Sequence, residues 1–352
     1  MTQSTVGGED RTATHGPVTR NSVRHLTRKL GFYAIAAWLA VTLNFLLPQL
    51  IPGNPVQIVL AKMQLAGPVP PGEERSLTQI LGLGTGNLAQ RYVGYLNNLL
   101  HLRFGLSVTD FPTPVTTEVE STILWTLVLV GTATVISFVV GIALGALAGW
   151  RRKTWLDSLV PSTTFLTAIP YFWLALILLY LFADNVLHWF PGFGGYNADS
   201  ELNVGLNGPF LASAVRHAIL PALTIVVSSI GGWLLGMRNM MVSTLSEDYV
   251  VAAEAKGISP VRVALGYAAR NAVLPSVSGF AISLGFVVSG SIVMETVFSY
   301  PGIGQKLLDA VQNDDYPLMQ GIFLVITFAV LGANLIVDLV YGFVDPRTRV
   351  GR

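Results

Sequence analysis

A chain of 352 residues in which 52% are hydrophobic and only 12% charged is too apolar for a soluble domain, where charged residues make up about a quarter. A net charge of +1 leaves no basic footprint for nucleic acid, and zero cysteines exclude disulfides and thiolate metal sites while saying nothing of compartment. The composition is that of an all-α polytopic membrane protein whose apolar runs are long enough to cross a bilayer.

Residues 1–23, rich in Thr, Gly, Ser and charge and without apolar periodicity, are expected to form a disordered tail. They are not a signal peptide, because the apolar run that follows, Leu30 to Ile51, has the length of a full span. Residues 24–51 make the first transmembrane helix, with Arg24, Arg28 and Lys29 holding its start on the cytoplasmic side. Residues 52–121 contain Pro68, Pro70, Pro71 and the polar stretch Asn87 to Tyr95, and read as an extracytoplasmic insertion with short helices.

Residues 122–344 form the transmembrane core, opening with a span over Thr122 to Gly149. Gly141, Gly145 and Gly149 recur every four residues there, which puts all three on one helix face for close packing. The third span, Leu159 to Ala183, contains Pro161 and Pro170 as expected kinks. A polar loop, Asn185 to Arg216, includes Trp189, Phe190, Phe193 and Tyr196; spans over Ala218 to Met237, Ser276 to Met294 and Leu318 to Val344 follow. Residues 345–352 are a short basic cytoplasmic tail, so six spans put both termini on one side.

The one polar, charge-bearing interval in the apolar second half is 238–275, between the fourth and fifth spans. Good helix formers fill Glu247 to Lys256, and Gly257 can take the left-handed conformation that stops a helix. Ser259 and Pro260 then read as N-cap and first residue of a second short helix. Ala252, Ala253 and Ala255 leave a smooth ridge that suits a partner's groove, making this a candidate docking element at the membrane face.

Basic residues test the orientation. Fifteen of the 21 fall in proposed cytoplasmic segments, leaving Lys62, Arg75, Arg91, Arg103, Arg216 and Lys306 outside, so the docking loop and both termini are expected in the cytoplasm. No stretch matches GxxxxGK[ST], so any ATP that drives the protein is bound by another polypeptide. His15, His25, His101, His188 and His217 show no i, i+4 pair, and no metal site or other cofactor is expected. Asp157, Asp184 and Glu295 fall at span ends within reach of water. Asp338 alone lies inside a span, where pairing with a basic residue is expected and a proton relay would need further carboxylates. Trp125, Trp150, Trp155, Trp189 and Trp233 are expected near span ends as an aromatic belt.

The run Asp248-Tyr249 to Gly257, then Arg270-Asn271-Ala272-Val273-Leu274-Pro275, resembles the cytoplasmic "EAA" loop of ABC importer permeases of the dipeptide, oligopeptide and nickel branch. Pro52-Gly53-Asn54-Pro55, Arg103-Phe104-Gly105-Leu106-Ser107, Glu295 to Gly304 with its Pro301-Gly302, Asp315-Tyr316-Pro317 and Asp345-Pro346-Arg347 resemble that branch in the same order. Asn54 stands where the family usually has Asp, and Val251 where the name of the loop implies Glu.

The resemblance implies a type I importer permease in a bacterial or archaeal cytoplasmic membrane. Asp248, Tyr249, Ala252, Ala253, Glu254, Ala255, Lys256 and Gly257 would form the ATPase-docking helix. Its implied partners are a homologous second permease, two ATP-binding subunits inside, an extracytoplasmic solute-binding protein and the lipid bilayer, with a peptide, an oligosaccharide or nickel as cargo. A self-contained carrier or channel driven by ion gradients is the alternative, and it calls for midplane charges or duplicated broken helices. A membrane anchor or assembly protein would need no pore.

Overall fold

The structure, a computed structural model, describes residues 18–50, 55–81, 83, 86–198, 204–287 and 292–344, and among them every regular element is helical. The first helix, α1 (Val18–Leu46), starts six residues ahead of the expected boundary at residue 24, so residues 18–23 are helix and not tail. Extending an existing helix adds a hydrogen bond for each residue fixed and needs no new nucleus. A 3₁₀ turn at Leu47–Gln49 follows, and Pro52, Gly53 and Asn54 lie outside the described residues.

The expected insertion holds α2 (Pro55–Ala66), α3 (Glu73–Ile80) and α4 (Leu88–Leu100). Asn87 and Gln90 cap α4 reciprocally: Gln90 N donates to Asn87 Oδ1 at 2.9 Å and Asn87 N to Gln90 Oε1 at 3.1 Å. Val59, Met63, Leu77 and Leu81 give this unit a core of its own, closed by Val108. The next helix, α5 (Val115–Trp150), begins seven residues before the expected Thr122. Pro114 is extended at ψ 140 and fixes the entry, and Glu118 in the first turn meets the positive end of the helix dipole.

α5 is paired along its length with α8 (Gly208–Thr244). The three glycines explain the closeness, for a Cβ on Gly145 would stand 2.5 Å from the Leu234 carbonyl oxygen and one on Gly149 2.9 Å from that of Arg238. α8 also corrects the expected loop, because residues 208–216 are already helical. Asn207 accepts from Phe210 N at 3.0 Å as N-cap and Pro209 occupies the first turn, so the start is set locally.

The third crossing is divided between α6 (Trp155–Ala168) and α7 (Tyr171–Leu179), the latter continuing as a π-helix over Tyr180–Asp184. Of the two prolines expected to kink it, α6 passes through Pro161, whereas Pro170 breaks the helix with Ile169 extended at ψ 126. A residue before proline is driven out of the α region. Beyond α8 come α9 (Asp248–Ala255) and α10 (Pro260–Arg262), then a π-wound stretch Val263–Ala269 and α11 (Arg270–Ala272). α12 (Leu274–Val287), α13 (Ile292–Val297), α14 (Ile303–Gln312) and α15 (Tyr316–Val344) complete the described chain. Among the described residues four helices are long and apolar enough to cross a membrane, in α1, α5, α8 and α15. The third and fifth expected spans are instead built from shorter apolar pieces, and the tail with Asp345, Pro346 and Arg347 lies outside the described residues.

Two of the tryptophans turn inward and leave the expected belt. Trp125 packs edge-on to Tyr300 at 5.6 Å and stacks with Tyr196 at 6.2 Å, and Trp233 meets Phe138 at 5.2 Å. Trp155 and Trp189 are exposed and lie just outside the expected third span, Leu159 to Ala183.

Candidate docking site

α9 is a two-turn helix with one face on the protein. Val250 and Ala253 are buried against Val263, with Leu245 and Ile258 around them. The other face presents Asp248, Tyr249, Val251, Ala252, Glu254, Ala255 and Lys256 to the surroundings. The ridge of three alanines expected from the sequence is therefore a ridge of two: at 100° per residue, Ala253 points back to the core when Ala252 and Ala255 point out. Val251, at the position where the loop's name implies Glu, is 52% exposed and makes the outward face more apolar.

Gly257 ends the helix at φ +74, with nothing within 4 Å of where a Cβ would stand, so the demand there is purely on the backbone. Ser259 occupies the N-cap position but its side chain makes no capping bond, while Pro260 opens α10. The rod from Pro260 to Ala272 then lays Ala264, Ala268 and Ala272 on Met237 and Met241 of α8, with Ala146 and Trp150 of α5 beside them. Asn271 Nδ2 of α11 donates to Tyr249 Oη at 2.8 Å, a second link between α9 and the rod that follows it.

The same end of the molecule is braced by Asp157 in the first turn of α6. Its Oδ1 receives Arg238 Nε at 3.0 Å and Nη2 at 2.9 Å, and its Oδ2 receives Lys153 N at 3.0 Å. The Lys153 amide and then the Arg238 guanidinium hold this carboxyl below its ordinary value. Asp338 pairs with Lys29 at 3.5 Å and accepts from Tyr33 Oη at 2.9 Å, so its partner is the first helix.

The far end is organised around Glu295, which is wholly buried and not open to water as its position beside a span suggests. Thr126 Oγ1 donates to Glu295 Oε1 at 2.7 Å, and Gly304 N and Gln305 N donate to Oε2 at 2.6 and 3.2 Å. Ile303 N donates in turn to Thr126 Oγ1 at 2.8 Å, so the first three amides of α14 are all satisfied by side chains. A Cβ on Gly302 would run into the Glu295 carboxylate and one on Gly304 would lie 2.8 Å from Ile292 Cα, which is why glycine stands at both. Burial pushes the Glu295 carboxyl above its ordinary value, against the opposing pull of its three donors. Asp315 is also wholly buried. It accepts from Ser107 Oγ at 2.6 Å, Val108 N at 2.6 Å and Thr109 N at 2.9 Å, and caps α15 through Leu318 N at 3.1 Å.

The family model described as "Binding-protein-dependent transport system inner membrane component" matches residues 141–350, from the glycine face of α5 through α8, the docking segment and the Glu295 knot. The chain belongs to this family. The permease is 34% identical to the di/tripeptide transport system permease protein DppB of Pseudomonas aeruginosa, over 92% of this chain and 98% of that one. It is 32% identical to the dipeptide transport system permease protein DppB of Escherichia coli (93% and 99%), and 29% identical to the oligopeptide transport system permease protein AppB of Bacillus subtilis (89% and 96%). Membership makes it a multi-pass membrane transport component and not an enzyme, and speaks for the importer reading against the ion-coupled carrier.

The residues singled out in the sequence thus fall at two separate places on the permease. Tyr249, Arg270, Asn271 and Pro275 lie at the α9 end, where Arg270, Asn271 and Pro275 are exposed; Glu295, Pro301, Gly302, Gly304, Asp315, Tyr316 and Pro317 lie at the other. Thr126 and Trp150 mark the two places on α5, 24 residues apart in number and about 36 Å apart along the axis. Pro55 begins α2, with its side chain outside the description. Thr126 was missed: one threonine in an apolar span gives no signal until α14 is seen to start against it. Also missed was Lys306, which pairs with Glu118 at 2.7 Å and with Asp110. Burial works against its charge, yet the two carboxylates outweigh it and hold its pKa above the ordinary value.

Proposed function

We propose that the permease forms half of a translocation path for peptides across the cytoplasmic membrane, and that an ATP-binding subunit docks on the outward face of α9. The observation that carries this is the build of α9. Its inner face is anchored on Val263, its outer face offers Tyr249, Val251, Ala252 and Ala255 between the charges Asp248, Glu254 and Lys256, and a glycine stop frees its end. Small apolar residues flanked by charge suit a groove in a soluble partner. In this reading the α9 end, both termini and Arg151, Arg152 and Lys153 face the cytoplasm, consistent with the bias of basic residues.

A homologous second permease completes the path, two ATP-binding subunits act from inside, and an extracytoplasmic solute-binding protein delivers cargo to the Glu295 end. The names of the relatives support peptides over oligosaccharides or nickel. Movement of α9 is carried by Asn271 to α11 and on to α12, which packs against it, and to α8 and α5 by the alanines of the rod, shifting the spans as rigid bodies.

Gly257→Val tests the docking reading. Forcing a β-branched residue to φ +74 strains the turn by about 1–2 kcal/mol and misplaces α10 without touching another side chain. Substrate uptake and co-purification of the ATP-binding subunit are both expected to fall at normal expression. Normal values for both contradict the reading.

A further inference from the structure

α1, α4 and α15 meet on three polar side chains that are almost wholly buried: Asn44 and Tyr95, each 4% exposed, and Gln320, 5% exposed. Asn44 Nδ2 donates to Tyr95 Oη at 3.2 Å and to the Gln320 carbonyl oxygen at 3.1 Å; Gln320 Nε2 donates to the Asn44 carbonyl oxygen at 3.0 Å. The donors are thus engaged while both amide oxygens, Asn44 Oδ1 and Gln320 Oε1, are buried without a partner. Turning either amide over does not relieve this, because each nitrogen faces a backbone carbonyl that can only accept. Tyr95 Oη already receives a proton from Asn44, so its own hydrogen must point elsewhere. Burial pushes that hydroxyl up to about 12, which keeps it a donor at any physiological pH.

Beside Tyr95 and Gln320 lies a cavity of about 10 Å³ whose polar lining is Tyr95, Asn98, Gln320 and Arg103, with Phe104 and Leu324 among its apolar walls. That is the room of one water molecule, and buried waters bind where two to four polar partners converge. A bare buried acceptor is rare in a folded protein, and Gln320 Oε1, whose residue lines the cavity, calls for an occupant that donates. A cation is a poor fit, since hard cations take six or more oxygens and here a hydroxyl proton is also seeking an acceptor.

We propose that a single structural water fills this cavity, accepting the Tyr95 hydroxyl proton and donating to Gln320 Oε1, with the Asn98 side chain as its third partner. The water ties α15, inside the family-matched region, to α4 in the N-terminal unit that precedes it. The contact between the two parts is then a hydrated joint and not a dry one.

The test is an experimental map of the intact transporter at a resolution that shows ordered water, for the native permease and for Tyr95→Phe. The native map is expected to show one density within hydrogen-bonding distance of Tyr95 Oη and Gln320 Oε1, and the variant to lose it or to show it moved off the ring. An empty native cavity, a Gln320 turned so that Oε1 meets a protein donor, or a density unchanged in Tyr95→Phe would overturn the proposal.

Discussion

The two ends of the permease hold their polar residues in opposite ways. At the far end Glu295 is sealed from solvent and each of its oxygens is bonded, to Thr126 of α5 and to the first turn of α14. At the α9 end, the link between Tyr249 and Asn271 and the ion pair between Asp157 and Arg238 are open or half-open to solvent, and the apolar anchor of α9 is three small or β-branched side chains. Buried, fully satisfied networks fix one arrangement, whereas exposed bonds exchange with water at little cost. The far end is therefore built to stay as it is, and the α9 end is held by bonds that yield more easily.

Breaking the far end is expected to have the largest effect. Glu295→Ala leaves the Thr126 hydroxyl and two amides of α14 buried without an acceptor, which is expected to cost about 3–5 kcal/mol in a detergent unfolding assay. Glu295→Gln keeps one acceptor oxygen and should lose less. Equal losses for the two would deny that the acceptor role holds the knot.

The seam between the ends comes next. Gly145→Val drives a side chain into the Leu234 carbonyl and the Met237 side chain, prying α5 from α8 at a cost of about 1–3 kcal/mol. The same change at Gly232, where nothing lies within 4 Å, should be close to neutral apart from helix propensity. Thermal melting of the purified permease reads both.

The two carboxylates sharpen the contrast through pH, with a smaller effect. Glu295 is raised above 4.5 by burial, so its share of stability is fullest below that value and declines as pH rises through the raised one. Asp157 is lowered below 3.8, so its share is complete above 3.8 and is lost as pH falls through the lowered value. Asp157→Asn should flatten the acid side of the melting profile, and Glu295→Gln the side above 4.5. A swap of the two responses would refute the assignment.

Much of this layout was legible in the sequence, for reasons that differ by residue. The glycine stop at Gly257 and the packing face of Gly141, Gly145 and Gly149 were readable because each depends on local conformation or helical period alone. Both Pro161 and Pro170 were expected to kink one helix; α6 does run through Pro161, but at Pro170 the helix stops, because neighbouring helices decide whether a proline bends or interrupts. Helix ends at Val115 and Gly208 were misplaced where caps and propagation extend a helix past its apolar run. The inward turn of Ala253 needs the position of Val263, ten residues away, and the burial of Glu295 needs Thr126, 169 residues away. No periodicity encodes either contact.

The proposed docking of an ATP-binding subunit on the outward face of α9 is tested most directly by cross-linking. The native chain has no cysteine, so single cysteines at Ala252, Ala253 and Ala255 can be cross-linked to that subunit in the assembled transporter without a background. Cross-links are expected from positions 252 and 255 and none from 253, which packs against Val263. No cross-link from either exposed position while the subunit co-purifies, or an equal yield from 253, would contradict the docking.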